Sequence, residues 1–347
     1  MEKGGGESAG FVDSAYIEKG ASIASDSASV LSQSDVILKI QPPTPEESGQ
    51  FKEGSFLVSL LYPTSNIESV KRLAARHVTA FALELLPRIS RSQSMDVLSS
   101  QANISGYKAV MISADTLPKM FPLMMTAAGT ISPAKVFVIG AGVAGLQAIA
   151  TAHRLGAVVE AYDVRPAVKE QIASLGAKFV ELPVEAKDAQ TSGGYAKAQS
   201  EDFYKKQQEL LAEHTRQADV VITTALVPGK RAPILVSEEA VKGMRPGSVI
   251  VDLASEQGGN CALTEPGRTT VKYGVTIHGT TNVPSTMAPQ SSQLFSRNLT
   301  AFLGTMMKDG ALNIDLKDEV IRGTLVLDKG EIVHDATKNA VAGVSAK

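Results

Sequence analysis

Three glycines, Gly140, Gly142 and Gly145, follow an apolar run and precede a helical pattern at the spacing G-x-G-x-x-G. In a strand–turn–helix, the first glycine of this motif allows a tight turn. The second lets a pyrophosphate approach the backbone at the helix N-terminus, and the third lets the helix pack closely against the strand. The spacing alone is weakly diagnostic, since such glycines can serve packing only. The flanking strand and helix favour a dinucleotide site.

An acidic residue stands at the end of the next predicted strand, where a dinucleotide site places one. Asp163 lies 18 residues after Gly145. A carboxylate there can accept hydrogen bonds from both ribose hydroxyls and repels a 2′-phosphate, which favours NAD(H) over NADP(H). Arg165 complicates this preference, because a nearby arginine can accommodate a 2′-phosphate.

A second polar cluster lies nearer the N-terminus and consists of Arg88, Gln93, Asp96 and Ser99. Three of its members are spaced three residues apart, so in one helix they would share a face. An amide, a carboxylate, a hydroxyl and a guanidinium can hold a carboxamide-bearing ring by hydrogen bonds without supplying a proton shuttle. The alternative is that Ser90 or Ser92 caps a helix while the other side chains are solvated. The residues alone leave both interpretations open.

The segment 183–197 is polar and interrupts the α/β pattern where a short connection is expected. It carries paired glycines, Gly193 and Gly194, followed by Tyr195. Such a segment could close over a cofactor as a lid and bring Tyr195 to the site. On the residues alone, an ordinary surface excursion is the better interpretation.

Composition argues against several other classes of protein. Lys and Arg total 34 and Asp and Glu total 36, a balance unlike that of a nucleic-acid binder or a polybasic membrane anchor. The single cysteine, Cys261, can form neither an internal disulfide nor a cysteine-based zinc site. No metal-ligand spacing joins the five histidines, which are His77, His153, His214, His278 and His334. We therefore expect no metal.

The elements that position these residues form two α/β series. The first has short apolar strands at 35–40, 55–61 and 78–84, with a helix at 67–77, and the segment 324–335 predicts a hairpin. The second has strands at 136–140, 157–163, 177–182, 218–226, 247–255 and 275–279 and helices at 143–155 and 202–216. We also expect two helical pieces in 94–126 and one helix in 289–307.

This alternation predicts an α/β protein of two Rossmann-like, doubly wound domains with a cleft between them. The first domain would be discontinuous, made of 1–105 and 290–347, and the second, 106–289, would bind the nucleotide. The length of 347 residues suits two domains. The 17 uncharged residues from Val136 to Ala152 fall just short of a membrane span and contain the three glycines, so we interpret them as strand and helix. The N-terminus lacks a secretory or transit pattern, so we expect a soluble intracellular chain.

Six segments, in order, resemble the NAD(H)-binding component of proton-translocating NAD(P) transhydrogenase, also called domain I or the alpha subunit, a relative of alanine dehydrogenase. They are residues 88–99, VIGAGVAGLQAIATAHRLGA (138–157), AYDVR (161–165), SGGYAK (192–197), VITTALVPGKRAP (221–233) and IVDLASEQGGNC (250–261). The resemblance covers nearly the whole chain. Family members begin with a strand ahead of a glycine-rich stretch, so it also implies that the first domain lacks its first strand. The chain would be a separate subunit or a fragment of a longer polypeptide.

The resemblance implies roles for the residues at matching positions. Around the nicotinamide it places Arg88, Gln93, Asp96, Ser99 and Tyr195. The cofactor contacts, including the glycines already named, would be Arg91, Gly140, Gly142, Val143, Gly145, Asp163, Val164, Arg165, Gly194 and Leu226.

The implied reaction moves a hydride from NADH to NADP⁺ bound on a partner, domain III, while protons cross the membrane through domain II. No hydroxyl or amine loses a proton in this transfer, so no general acid or base is needed. Catalysis then consists of positioning two rings and excluding water. The resemblance further implies the Re/Si-specific class of the enzyme and a homodimer. It implies a peripheral location at the inner membrane, on the bacterial cytoplasmic or mitochondrial matrix side.

Two alternatives belong to other functional classes. Alanine dehydrogenase uses a lysine and a histidine, and the corresponding positions here are Gln41 and Tyr62. Pyruvate would therefore lack both its anchor and its acid/base. A non-catalytic NAD(H) sensor would explain the glycine motif but leave the Arg88–Ser99 cluster and Tyr195 without a purpose.

Overall fold

The computed structural model describes residues 1–182, 200–226, 231–308 and 310–345. The chain divides into two compact units, each with its own sheet. Unit 1 comprises Met1–Ser100 and Ala288–Lys347, and unit 2 comprises Gln101–Met287.

The strands of unit 1 are β1 (Val36–Leu38), β2 (Phe56–Ser59), β3 (Thr79–Ala82), β13 (Met307–Lys308), β14 (Ala311–Leu312), β15 (Leu325–Asp328) and β16 (Glu331–Ile332). Its helices are α1 (Asp13–Ile17), α2 (Ser27–Gln33), α3 (Pro45–Ser48), α4 (Ile67–Ala75), α10 (Ala288–Met306), α11 (Glu319–Thr324) and α12 (Asp335–Ser345). The helix α5 (Val97–Thr116) begins in unit 1 and ends in unit 2.

The main sheet of unit 1 has the order β1-β2-β3-β15-β16. Its first three strands are parallel, and β15 joins β3 in antiparallel register. Successive residues of the strands alternate between two apolar clusters: Leu57 and Ala80 pack with Leu73, whereas Val58 and Phe81 belong to the other cluster. Because strand side chains alternate between faces, both faces of this sheet are covered, as parallel strands require.

The hairpin predicted at 324–335 is confirmed, since β15 and β16 pair in antiparallel register. The two residues between them, Lys329 and Gly330, both have positive φ values, 47° and 87°. Two such residues form the turn whose twist suits a two-residue hairpin. A Cβ on Gly330 would lie 2.5 Å from the Ala74 carbonyl oxygen, so this position requires glycine.

The strands of unit 2 are β4 (Met124–Thr126), β5 (Gly129–Ile131), β6 (Lys135–Ile139), β7 (Val158–Tyr162), β8 (Lys178–Phe179), β9 (Val220–Thr223), β10 (Val249–Asp252), β11 (Thr269–Lys272) and β12 (Val275–Gly279). Its other helices are α6 (Val143–Arg154), α7 (Lys169–Ser174), α8 (Glu201–Gln217) and α9 (Glu238–Lys242).

The main sheet of unit 2 has the order β11-β12-β10-β9-β6-β7-β8, with β11 as its antiparallel strand. The chain runs outward from β6 through β7 to β8 and then returns to β9 on the other side of β6. In open α/β sheets, ligands bind at this switch in strand order, outside the carboxyl ends of the strands. The carboxyl ends of β6 and β9, at Ile139 and Thr223, therefore mark the expected site.

The segment 94–126 does not form the two helical pieces predicted for it. A 3₁₀ turn, Ser90–Met95, precedes the single helix α5. After that helix the chain continues into the antiparallel strand pair β4 and β5. Pro118 and Pro122 follow α5. Proline removes a helical hydrogen bond and clashes with the preceding turn, so a second helix does not form.

The uncharged run from Val136 to Ala152 forms nearly all of β6 and most of α6, which confirms its interpretation as strand and helix. Among the described residues, the structure contains no helix long and apolar enough to cross a membrane. The predicted α/β class with parallel-stranded sheets is confirmed.

Candidate functional site

The glycine-rich turn lies at the carboxyl end of β6 and imposes two steric requirements. Gly140 has a φ of 98°, a conformation that side chains rarely adopt. A Cβ on Gly145 would lie 1.8 Å from the Gly140 carbonyl oxygen, so the first turn of α6 passes directly over the loop. The Thr224 hydroxyl, which follows β9, donates to the same carbonyl at 2.9 Å. The turn is thus fixed to both strands at the switch in strand order.

The second glycine of the motif, Gly142, faces open space where a side chain would lie. Gly142 is the N-cap of α6, and no heavy atom would lie within 4 Å of a Cβ placed there. Because glycine has no side chain to cap the amides of the first turn, and because a helix N-terminus favours negative charge, this end of α6 suits a pyrophosphate.

These two glycines make opposite predictions for alanine variants. Gly145→Ala forces a methyl group into a backbone carbonyl and should lower the free energy of unfolding by about 3 kcal/mol or more. Gly142→Ala should change it by no more than about 1 kcal/mol, since the space is open, yet weaken NADH binding. Urea unfolding and NADH titration measure the two effects. Wild-type NADH affinity in Gly142→Ala would contradict the assignment of this helix end to the nucleotide.

Asp163 follows β7 and is nearly enclosed, with 8% of its surface exposed. Its Oδ2 accepts from the Ala141 backbone N–H at 2.8 Å, which ties the carboxylate to the glycine-rich turn. Its Oδ1 accepts from the Arg165 backbone N–H, also at 2.8 Å. The carboxylate predicted to bind the ribose therefore lies at the turn, and it also holds the turn in place.

Arg165 supplies two further hydrogen bonds to the same carboxylate. Its Nε donates to Oδ1 of Asp163 at 2.9 Å and its Nη2 donates to Oδ2 at 2.8 Å. These hydrogen bonds raise the pKa of the Arg165 guanidinium above its usual value. The sequence had suggested Arg165 as a partner for a 2′-phosphate, whereas here it forms a bidentate pair with Asp163.

Three apolar residues predicted to contact the cofactor lie at the carboxyl ends of the strands. Val143 begins α6 and Leu226 follows β9, and each is 40% exposed. Val164 lies between Asp163 and Arg165 and is half-buried. Exposed apolar side chains beside a polar turn suit the face of a purine, and their role in binding stays a prediction.

A buried carboxylate that the sequence analysis gave no role organises the neighbouring loops. Asp252 ends β10 and is completely buried. Its oxygens accept five hydrogen bonds of 2.7–3.0 Å, from Thr223 Oγ1, Ala254 N, Asn260 N, Cys261 N and Thr264 Oγ1. A carboxylate offers about four acceptor positions, so these five donors, three of which share Oδ2, satisfy its charge. No ion pair to Asp252 occurs among the described residues. Asp252 lies in the segment 250–261 that carries the family resemblance, which was the available signal.

Asn260 extends this network to the loop after β9. Its Oδ1 accepts from the Ala225 N–H at 2.9 Å, while its Nδ2 donates to the carbonyls of Ala225 and Pro233 at 2.9 and 2.8 Å. The fully buried amide therefore fixes both ends of the segment that begins at Leu226. Cys261 contributes its backbone, and burial raises the pKa of its thiol to about 11, so the thiol stays protonated at neutral pH.

The polar cluster of unit 1 does not form the helical face predicted for it. Gln93 is exposed in the 3₁₀ turn Ser90–Met95, whereas Asp96 has extended backbone and precedes α5. The Asp96 carboxylate accepts from the Ser99 N–H at 2.9 Å and from the Ser99 hydroxyl at 2.6 Å. Asp96, and not Ser90 or Ser92, is thus the helix cap. The three-residue spacing was ambiguous, because it fits an N-cap bonded to residue N3 as well as it fits a helical face.

The same turn is held by contacts within unit 1. The Asn298 side chain on α10 donates to the Ser94 carbonyl at 2.7 Å. The Arg91 guanidinium forms a bidentate pair with Asp318, which caps α11; one of the two distances is 2.9 Å. Arg88 is exposed just before the turn. The predicted roles of Arg88 and Arg91 toward a cofactor stay predictions.

A second carboxylate missed by the sequence analysis follows β3 in unit 1. Glu84 accepts from the Leu61 N–H at 3.0 Å and from the Tyr62 N–H in a shorter contact. Burial raises the pKa of Glu84 above its usual value, although the backbone hydrogen bonds oppose this shift. Tyr62, which the sequence analysis matched to the histidine of alanine dehydrogenase, has a φ of 43° and is 41% exposed. Glu84 therefore holds Tyr62 in a left-handed conformation that is costly for this residue type.

The remaining predicted site residues, Gly194 and Tyr195, lie outside the described residues, as does the rest of the proposed lid at 183–197.

Comparisons with known proteins agree with the resemblance. The family model "Alanine dehydrogenase/PNT, C-terminal domain" matches residues 109–335 and the corresponding N-terminal domain model matches residues 1–105. A protein of Rhodospirillum rubrum, named as the first portion of an NAD(P) transhydrogenase subunit alpha, is 53% identical over 97% of this chain and 90% of that protein. A crystal structure of transhydrogenase from Sinorhizobium meliloti has a TM-score of 0.83 at 44% identity and covers 96% of this chain and 89% of its own. An L-alanine dehydrogenase structure has a TM-score of 0.79 at 24% identity and covers 99% of this chain and 90% of its own, which shows a shared fold.

The predicted resemblance to the transhydrogenase alpha subunit is thereby confirmed. The chain belongs to the alanine dehydrogenase/PNT family, as a relative of the NAD(P) transhydrogenase alpha subunits.

Proposed function

We propose that this chain is the NAD(H)-binding side of a proton-translocating NAD(P)⁺ transhydrogenase of the Re/Si-specific class. It would bind NADH on unit 2 and pass a hydride to NADP⁺ held on a partner domain, domain III. The transfer would be coupled to proton movement through a separate membrane domain, domain II.

The observation that carries this proposal is the turn at the switch in strand order. There Gly142 leaves the N-terminus of α6 open while Gly140 and Gly145 fix the backbone around it. That geometry supports a dinucleotide site, and the 53% identity to a transhydrogenase alpha subunit supports the choice of reaction.

Each portion of the nucleotide has a candidate partner in this chain. The amides at the start of α6 would hold the pyrophosphate, Asp163 would accept from the ribose hydroxyls, and Val143 and Leu226 would contact the adenosine. Arg88, Gln93, Asp96 and Ser99, with Tyr195, would orient the nicotinamide by its carboxamide. NADH itself supplies the hydride.

The chemistry fits side chains that position a ring without exchanging protons. Transfer between two C4 atoms releases no proton from a hydroxyl or amine, so it needs no general base. The rate then depends on the distance and angle between two rings and on exclusion of water. Amide, hydroxyl and guanidinium groups suit this task because they form directional hydrogen bonds.

The proposed assembly contains partners beyond this chain. The name of the R. rubrum relative describes one portion of a subunit alpha, which supports an enzyme built from several pieces. We infer domains II and III as partners, a homodimer of this chain, and a peripheral position at the inner membrane on the bacterial cytoplasmic or mitochondrial matrix side.

Two assays on the purified chain separate this proposal from its alternatives. We expect NADH to bind and alanine to produce no NADH, because Gln41 and Tyr62 stand where alanine dehydrogenase has lysine and histidine. The chain has no tryptophan, so NADH fluorescence can be titrated without tryptophan emission. A true alanine dehydrogenase serves as positive control. Alanine-dependent formation of NADH would overturn the proposed reaction.

A further inference from the structure

The Asp163 carboxylate accepts hydrogen bonds from two kinds of donor. Two come from backbone amides, those of Ala141 and Arg165, whose positions are set by the turn after β6 and by the end of β7. The other two come from the guanidinium of Arg165, a long side chain with rotatable bonds. Only the second pair can leave without changing the backbone.

The usual acceptor positions of the carboxylate are filled while both pairs are in place. An ionised carboxyl group offers about four acceptor positions on its two oxygens. Each Asp163 oxygen already accepts one backbone and one guanidinium hydrogen bond, at 2.8–2.9 Å. The Asp163 side chain is 7% exposed and that of Arg165 17%, so water cannot readily replace a lost donor.

We propose that Arg165 is a displaceable internal partner of Asp163. When NADH binds, the two hydroxyls of its adenosine ribose replace the two guanidinium hydrogen bonds to Asp163 one for one. Arg165 thereby determines how strictly the site prefers NAD(H) over NADP(H). This inference rests on the proposed function, since it takes the Asp163 turn as the nucleotide site.

The exchange has opposite consequences for the two nucleotides. With NADH, two hydroxyl donors take the places of Nε–H and Nη2–H, so Asp163 keeps its hydrogen bonds while Arg165 is released. With NADPH, the 2′-phosphate cannot donate and is repelled by the carboxylate, but it can accept a bidentate pair from the released guanidinium. Arg165 thus competes with NADH and assists NADPH, and both effects weaken the preference.

Arg165→Ala is the direct test. Removing the competitor should leave the Kd for NADH equal or several-fold lower, and removing the cation should raise the Kd for NADPH by about tenfold, the size expected for one charge-assisted pair. Isothermal titration calorimetry at low ionic strength gives both constants. Arg154→Ala, an exposed arginine at the end of α6, is the matched control and should shift neither constant.

Thermal stability, measured as the Tm with and without NADH, tests the same exchange without comparing two nucleotides. Arg165→Ala leaves the enclosed Asp163 charge unpaired, so the variant should melt at a lower temperature without ligand than the wild type. NADH restores the missing donors, so it should raise the Tm of the variant more than that of the wild type. If Arg165→Ala does not fold, Arg165→Lys is measured in its place, since it keeps the charge but loses the planar fork of the guanidinium. Without ligand its Tm should lie below that of the wild type, and NADH should raise it by more than it raises the wild-type Tm.

The outcomes distinguish this inference from the proposed function. If the wild type binds NADH but Arg165→Ala weakens NADH and NADPH equally, Arg165 simply holds the bound nucleotide and the exchange is wrong, while the proposed function stands. If the wild type does not bind NADH, both are overturned. A loss of NADPH affinity alone, together with a larger NADH-induced rise in Tm, supports the exchange.

Discussion

Replacing Gln93 with alanine should slow hydride transfer to the partner domain by about 10²-fold, the effect of misplacing a reacting ring by about an ångström. The Kd for NADH should change by less than about threefold, since the adenosine and pyrophosphate contacts are untouched. Gln93 is exposed, and its turn is fixed by the Asn298–Ser94 hydrogen bond, so the variant should keep its stability within about 0.5 kcal/mol. Single-turnover transfer and NADH titration measure the two effects.

Gln93 is a cleaner probe of ring positioning than Asp96. Asp96 caps α5 through Ser99, so its loss also costs about 1 kcal/mol of stability, which mixes folding with catalysis. The matched control is Ser94→Ala, an exposed neighbour in the same turn whose backbone carbonyl stays in place. Equal losses in transfer rate and NADH affinity for Gln93→Ala would show that the side chain contributes to binding alone.

Replacing Asp252 with alanine should lower the free energy of unfolding by at least about 3 kcal/mol, because five donors around a buried carboxylate would lose their acceptor. Asp252→Asn should cost less, since its amide oxygen can still serve one side of the network. Urea unfolding followed by circular dichroism measures both variants. We also expect weaker NADH binding, because Asp252 orients Asn260, which holds Ala225 beside the predicted cofactor contact Leu226.

Asp202→Asn is the control for this series, since Asp202 lies in the same unit but its side chain is 67% exposed. It should change stability by no more than about 0.5 kcal/mol. A value for Asp252→Ala within the same range would mean that the surrounding amides find other acceptors or water. Asp252 would then not organise these loops.

The sequence predicted best those features that are local along the chain. The turn from β6 to α6 follows from three glycines and an apolar run, and the hairpin at 324–335 follows from a turn at Asp328-Lys329-Gly330. The prediction of two helical pieces in the segment 94–126 was wrong, because it extended the helical pattern across Pro118 and Pro122. The stop signal was present in the residues and outweighs the apolar spacing.

The site was harder to predict because its contacts join distant residues or choose between equal patterns. The donors to Asp252 come from positions 223 to 264, and spacing gives no indication of such a set. Asp96 and Ser99 fit a helical face and a cap equally well, and only the backbone at Asp96 decides. The Asp163–Arg165 pair did have a signal, since residues two apart in extended chain point to the same side.

The central claim is that NADH bound to this chain donates a hydride to a nucleotide on another domain. Isotope transfer tests this claim most directly. The purified chain, NADH dideuterated at C4, and an NADP⁺-loaded transhydrogenase domain III are mixed, and the NADPH formed is analysed by mass spectrometry. We predict that deuterium appears in NADPH when both proteins are present, and that either protein alone gives none. A chain that binds NADH yet transfers no deuterium to the loaded partner would contradict the account.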